Sequence, residues 1–406
     1  MQSSLFIKFI TFFTLITIIS VSAAPIKCPP INSTAPDAKQ ERYIVFLSNN
    51  KDHYKWLKEC YNRPVQSIKT TKKAVDKNSI LDISIEGKFY AYSTWYYPEF
   101  AEKHIKERPE TTLVEKDSPV KIATVQSNPP FNLDRIDQAN FPLNNKYDFP
   151  SSAGSKATVY VIDTGVLVTH EEFEGRASHL GTFCDGCPDT DDHGHGSHVS
   201  GIIGGKTYGV AKNVNIVGVK VLDSQGSGSL ADIISSFSSV LDDVISKKNN
   251  AIVNMSLGSR ISKAFNEAVK KILTDNGIHV IVAAGNENSN ACSASPASEL
   301  SAITVGATED KSNYVAGFSN FGKCVDIFAP GVNILSVGIK SNTDTKIYSG
   351  TSQATPHVAG TVALIISKSG NQKPDEMVKT LVEFSTKNIL LNIKGSPNNF
   401  LRIPPS

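Results

Sequence analysis

From Ala157 onward, short β-branched runs recur: Thr158–Ile162, Ile216–Lys220, Ile252–Met255, Val280–Ala283 and Ala302–Val305. Between them lie stretches with helical spacing, at His195–Gly204, Leu230–Lys248, Ser262–Asn276 and Thr355–Ser367. Continuous apolar strands alternating with helices predict a parallel sheet covered on both faces. The preceding region has a different grammar. Tyr43–Leu47 reads as a strand and Asp52–Tyr61 as a helix; Ile80–Ile85 and Lys88–Ser93 read as strands joined at a Glu86-Gly87 turn. Pro98–Arg108 opens like a helix, with proline in its first turn, and Thr111–Glu115 reads as a last strand. That β-α-β-β-α-β order predicts a small α+β unit, a four-stranded sheet with two helices on one face. Residues 119–150 are rich in Pro and Asn and read as an extended linker.

The chain has 406 residues, more than one ordinary domain requires. Its start changes the picture further. Lys8 precedes an apolar run, Phe9–Val21, followed by small residues at Ser22-Ala23-Ala24. This is the pattern of a secretory signal peptide cleaved after Ala24. An uncleaved anchor is disfavoured, because the run is short for a bilayer and no basic stop-transfer cluster follows. Residues 25–40 form a Pro-, Ser- and Asn-rich lead-in with the sequon Asn32-Ser33-Thr34, which makes Asn32 a candidate glycosylation site. A formal net charge of +2 gives no reason to expect a nucleic-acid or anionic-membrane partner. Six cysteines in an exported chain imply disulfides rather than a reduced metal site or a redox Cys-x-x-Cys. The preferred pairs are Cys184–Cys187 and Cys292–Cys324, followed by Cys28–Cys60; the connectivity is not determined by the sequence.

Three Gly-flanked polar segments carry candidate chemistry. Val161-Ile162-Asp163-Thr164-Gly165 puts a carboxylate at the carboxyl end of a buried strand. Asp192-His193-Gly194-His195-Gly196-Ser197-His198 leads into a helix, and Ser349-Gly350-Thr351-Ser352-Gln353-Ala354-Thr355-Pro356 places a serine just before another. In open α/β sheets, sites form in the crevice outside the carboxyl ends of the strands. A serine hydroxyl is a weak nucleophile that needs a base, and the base needs an orienting anion. Ala283-Ala284-Gly285-Asn286 follows a further strand, and its amide is a candidate oxyanion donor. A metal cluster at His193, His195 and His198 is disfavoured by the spacing and by the Gly-rich turn.

Taken together these motifs, with Tyr208-Gly209-Val210-Ala211, resemble the subtilases of the proteinase K branch, especially the fungal cerevisin-like members, over about residues 124–400. The chain order Asp, His, Ser is that of subtilisin. The resemblance implies a subtilisin-like three-layer α/β fold around a mostly parallel seven-stranded sheet, and secreted endopeptidase activity of broad specificity. It implies Asp163, His195 and Ser352 as the triad and Asn286 in the oxyanion hole. Gly226, Ser227, Gly228 with Ser256, Leu257, Gly258 would flank an extended substrate, and Ala283, Ala284, Gly285 would border the primary pocket. None of these segments holds an acid, so an apolar or aromatic preference is expected.

The region of about residues 42–118 resembles the subtilase propeptide, an intramolecular inhibitor and folding template. The expected division is 1–24 signal peptide, 25–123 propeptide and 124–406 catalytic domain, cut at Ala123–Thr124. No cofactor is expected for the chemistry; the resemblance implies a structural calcium held by Asp326 and the carbonyls of Leu300 and Ala302. A monomer acting on extended polypeptides is expected, extracellular or, alternatively, in the vacuole. The chain departs from the family pattern in three places: Gln353 stands where Met is usual, Val199 where many relatives carry a free Cys, and Ser197 where Thr is usual. A binding module without activity is disfavoured by the complete triad, and a narrow processing protease by the lack of an acidic pocket.

Overall fold

The computed structural model of the chain describes residues 28–31, 39–49, 51–67, 77–85, 88–117 and 124–406. The signal-peptide reading, Asn32, the Glu86-Gly87 turn and Ala123 lie outside them. The chain divides into two compact units after Val120.

In the first unit, β1 (Glu41–Leu47), α1 (Lys51–Tyr61), β2 (Val65–Ser67), β3 (Ile80–Asp82), β4 (Tyr90–Tyr96), α2 (Pro98–Phe100) and β5 (Thr111–Lys116) follow in order. The sheet has five strands, in the order β2-β3-β4-β1-β5, not the four expected. The addition is β2, which pairs parallel with β3; three residues are too short for alternation to be legible. Beyond α2 the helix widens into a π turn at Ala101–Ile105. Helix α1 turns His53, Trp56 and Leu57 inward, the i, i+3, i+4 stripe of an amphipathic helix. They meet Val45, Ile80, Tyr92, Tyr96 and Phe100 in one core.

The second unit opens with β6 (Thr124–Ser127), α3 (Phe131–Asp137) and β7 (Lys146–Phe149). The expected linker is therefore structured: β6 pairs antiparallel with β7, and Leu133 and Ile136 of α3 enter the main core. There follow β8 (Ala157–Asp163), β9 (Ala177–Thr182), α4 (His195–Gly204), β10 (Asn215–Lys220), α5 (Leu230–Lys247) and β11 (Asn250–Met255). Next come β12 (Ser259–Arg260), α6 (Lys263–Ala268), β13 (His279–Ala283), β14 (Ala294–Ser295), β15 (Ile303–Thr308) and β16 (Ile327–Pro330). The chain ends with β17 (Ile334–Val337), β18 (Thr345–Tyr348), α7 (Thr351–Ser369), α8 (Pro374–Phe384), β19 (Thr386–Lys387) and β20 (Asn399–Phe400).

The central sheet runs β19-β20-β16-β15-β13-β11-β8-β10-β9. Its seven strands from β16 to β9 are the expected parallel sheet, and two short strands widen one edge. Alternation along β8 explains the three layers. Val159 and Val161 face a core shared with Val199 and Ile203 of α4 and Val358 and Val362 of α7. Tyr160 and Ile162 face the opposite core, with Ile233 and Phe237 of α5 and Phe265 of α6. Every residue of β8 is buried, as a central parallel strand requires. The chain leaves β8 toward β9 and β10 on one side and returns to β11 on the other. The sheet's switch point is therefore the carboxyl end of β8, where Asp163 sits.

Candidate active site

Asp163 ends β8 and is fully buried, next to Lys220 of β10 in register. The chain then turns at Gly165, whose φ of +105° favours glycine. Helix α4 sits directly on this turn: a Cβ added to Gly196 would fall 2.2 Å from the Gly165 carbonyl oxygen, so only glycine lets the helix approach. His195 is the first residue of α4, and Nδ1 lies 2.7 Å from Asp163 Oδ1. The Thr164 amide donates to the same oxygen at 2.8 Å. Buried Asp191 ties the two segments, accepting from Thr164 Oγ1, the Gly194 and Ser197 amides and Ser197 Oγ. Lys220, also fully buried, is neutralised by Asp192 and donates to the carbonyls of Thr164 and Leu222. Burial alone would lower the His195 imidazole. The charge and hydrogen bond of Asp163, with Asp191 behind, outweigh it and hold the imidazole above its ordinary value.

Ser352 lies inside the first turn of α7, not ahead of the helix as expected. The sequence reading puts the helix at Thr355–Ser367, with Pro356 near its start. The fold begins the helix one turn earlier, satisfying the first-turn carbonyls with side chains. Thr355 Oγ1 donates to Thr351 O, Ser256 Oγ to Ser352 O, and His357 Nδ1 to Gln353 O. Ser352 Oγ in turn donates to the Ser256 carbonyl at 3.1 Å. The Ser352 amide belongs to the helix N-terminal set that lacks an intrahelical acceptor.

The Asn286 amide is oriented unambiguously. Its Oδ1 accepts from the Thr351 amide at 2.8 Å and Thr351 Oγ1 at 2.9 Å, so Nδ2 is directed away from Thr351 as a free donor. An orphan backbone N–H beside a fixed side-chain amide can receive a developing oxyanion.

Two cavities flank the Ser256-Leu257-Gly258 segment. One, about 360 Å³, is lined by Leu257, Gly258, Ala283, Ala284, Gly285, Asn286 and Ser352. The other, about 510 Å³, is lined by His193, His195, Gly226, Ser227, Gly228, Ser256 and Leu257, with Phe265 among its walls. All the expected substrate residues thus line a single cleft region. The sequence reading missed part of it. Glu287 and Ser293–Ser295 also wall the first cavity, which is closed by the antiparallel β12–β14 pair and has Arg260, the charge nearest the pocket in the sequence reading, in its lining. Glu287 was legible as the neighbour of Asn286; its carboxylate accepts from Asn320 Nδ2 at 2.8 Å. Asn254 opens a second formal sequon, Asn254-Met255-Ser256, but it is fully buried and donates to Ser256 Oγ, so it is not open to glycosylation.

Among the described residues, no three His, Cys, Asp or Glu side chains gather to hold a metal ion. Asp326, the expected ligand, is a mostly enclosed carboxylate without a cationic partner among the described residues. One carboxylate oxygen accepts the Thr304 amide at 2.8 Å, and burial pushes the carboxyl up to about 6. Ala302 is buried nearby in sequence, whereas Leu300 is 82% exposed. A hard, oxygen-only site with one carboxylate and backbone carbonyls suits calcium. The disulfides are Cys28–Cys60, Cys184–Cys187 and Cys292–Cys324, and no cysteine is free.

The Subtilase family profile matches residues 154–400. The chain is 44% identical to subtilisin-like protease 3 of Pseudogymnoascus destructans over 73% of its own length and 74% of that protein. It is 44% identical to the cuticle-degrading protease of Metarhizium anisopliae, covering 74% and 76% of the two chains. Identity with alkaline protease 1 of Aspergillus flavus is 40% over 90% and 91%. Among solved structures, a cold-adapted subtilisin-like serine proteinase superposes with a TM-score of 0.65 at 42% identity, covering 69% of this chain and all of that one.

Proposed function

Because the chain belongs to the subtilase family and is a serine endopeptidase of that type, we propose that it is a secreted, self-processing zymogen whose triad is Asp163, His195 and Ser352. The observation that carries this is the 2.7 Å Asp163–His195 contact, with His195 in a cavity also walled by Ser256, whose carbonyl accepts from Ser352 Oγ, and with Asn286 held by Thr351. Subtilases need no cofactor for the chemistry. The Ser352 hydroxyl turns from the Ser256 carbonyl to His195 Nε2, which takes its proton as Oγ attacks the scissile carbonyl. Apo geometry of this kind tightens only when substrate is bound. Asp163 fixes the Nδ1–H tautomer and stabilises the imidazolium. Asn286 Nδ2 and the Ser352 N–H receive the oxyanion. The amine leaves with the His195 proton, and water repeats the sequence on the acyl-enzyme.

An extended polypeptide pairs through backbone atoms of Gly226–Gly228 and Ser256–Gly258, which gives broad specificity. Ala283, Ala284 and Gly285 set an apolar or aromatic primary preference; Arg260 and Glu287 modulate its rim. Residues 1–24 direct secretion, and residues 25–123 are the propeptide, with the inhibitory unit at about 42–118. No helix among the described residues is long and apolar enough to cross a membrane. Asp326, with the Leu300 and Ala302 carbonyls, holds calcium as a structural ion.

The test is N-terminal sequencing and intact mass of secreted wild type and Ser352→Ala. The expected result is a wild-type start at Thr124 and a mutant that keeps its propeptide. Identical cleavage of both would replace self-processing with maturation by another protease.

A further inference from the structure

Ser256 enters the preceding reading through its backbone alone, yet its side chain is buried and fully engaged. In α7 the carbonyl of Ser352 would ordinarily accept the amide of the residue four positions on. That residue is Pro356, which has no N–H. A carbonyl beside the reacting atom would then be left without its helical donor, at the turn where the nucleophile must be held most rigidly. Ser256 Oγ fills the vacancy, donating to Ser352 O at 2.9 Å. Asn254 Nδ2, 3.0 Å away, donates to Ser256 Oγ and so orients its proton toward Ser352. The pairing is reciprocal, since Ser352 Oγ donates to the Ser256 carbonyl at 3.1 Å. One strand end thus clamps the nucleophile's residue from two sides.

We infer that Ser256 is a positioning residue for Ser352, its hydroxyl replacing the backbone donor that Pro356 removes. The inference rests on Ser352 being the nucleophile and goes beyond substrate pairing, which uses Ser256 backbone atoms that any residue would keep. Asn254 acts in series with it, through the orientation of the hydroxyl.

The experiment is a double-mutant cycle between Ser256→Ala and Pro356→Ala, read as kcat and KM on a peptide nitroanilide with an apolar residue before the scissile bond. Pro356→Ala restores a backbone N–H opposite the Ser352 carbonyl. In the proline background, Ser256→Ala is expected to lower kcat on the order of tenfold, the equivalent of one lost hydrogen bond. KM changes less, and Ser256→Thr, which keeps a hydroxyl, recovers most of the loss. In the Pro356→Ala background the same substitution costs about twofold or less, because the carbonyl has regained a donor. An equal loss in both backgrounds overturns the inference, as does a loss confined to KM. Where Ser256→Ala does not accumulate as processed enzyme, Asn254→Ala in the same two backgrounds is expected to show the same coupling, and additivity there also overturns it. Fluorophosphonate labelling of wild type and Ser352→Ala separates the two levels. Failure of wild type to label or to hydrolyse the peptide removes the nucleophile itself, whereas labelling at Ser352 with no coupling removes only the role of Ser256.

Discussion

In the proposed triad His195 must be neutral to accept the Ser352 proton, and its protonated form, which burial disfavours, is favoured by Asp163 at 2.7 Å and by Asp191 behind it. The folded-state pKa is therefore raised, and activity is lost as pH falls through it. The acid limb of kcat/KM in the free enzyme is expected to have a midpoint above the ordinary 6.5. A midpoint at or below that value in a pH–rate profile would show that burial, not the carboxylates, sets this imidazole. Asn286 offers a second check. With Oδ1 occupied by Thr351, Nδ2 is the only side-chain donor it can offer, and Asn286→Ala removes that donor together with the acceptor that holds Thr351. The expected loss is about 10²–10³ in kcat with little change in KM, a magnitude carried over from subtilisin rather than derived from this geometry. A loss confined to KM would place Asn286 in ground-state binding.

Helices α4 and α7 present their N-termini to the cleft because small residues allow it. Gly196 lets α4 rest on the Asp163 turn, and Gly360 lets α7 pass Val210, where an added Cβ would approach to 2.7 Å. The segment around β16 shows the opposite situation, a buried carboxyl without a compensating charge. Asp326 accepts the Thr304 amide but meets no cation among the described residues, and burial alone raises its carboxyl to about 6. Calcium would supply that charge. Differential scanning fluorimetry of the mature enzyme, blocked with a serine-directed inhibitor, is expected to show an unfolding temperature several degrees higher in millimolar calcium than in chelator. Saturation at about 100 times Kd contributes about 2.7 kcal/mol. Asp326→Asn is expected to abolish the difference, and a response that survives the substitution would place the ion elsewhere.

The two units carry separate cores and therefore separate responses to pH. In the first, His53 is buried between Glu110 (2.9 Å) and the Tyr92 hydroxyl (2.8 Å), and burial pushes the imidazole down to about 4. The Glu110 contact is therefore a hydrogen bond from a neutral ring rather than an ion pair. Its folded pKa lies below the ordinary 6.5, so the stability it contributes is complete above 6.5 and is lost as pH falls toward 4. The amount is on the order of 3 kcal/mol. Hydrogen exchange over residues 41–116 of the Ser352→Ala zymogen, corrected for intrinsic rates, is expected to lose protection across that window. His53→Gln, which bonds without titrating, is expected to flatten the dependence; an unchanged profile would assign the acid sensitivity to other groups.

Much of this was legible along the chain, for a physical reason. Buried parallel strands must be continuously apolar, helices between them must be amphipathic, and a Ser–His–Asp relay needs glycine-flanked junctions at strand ends. β8, β10, β11, β13 and α4 with Asp163, His195, Asn286 and Ser352 therefore stand out in one dimension. Elements that depend on a partner do not. β2 exists only against β3, β12 only against β14, and α3 reads as linker until its Leu133 and Ile136 find the core. The start of α7 was misplaced for the same reason, since the donors that hold its first turn come in part from Ser256, 96 residues away. Local pattern determined which groups could do the chemistry. Tertiary contact decided which of them are buried, which atoms face the cleft and which carbonyls are satisfied, because those properties belong to pairs of segments and not to either one alone.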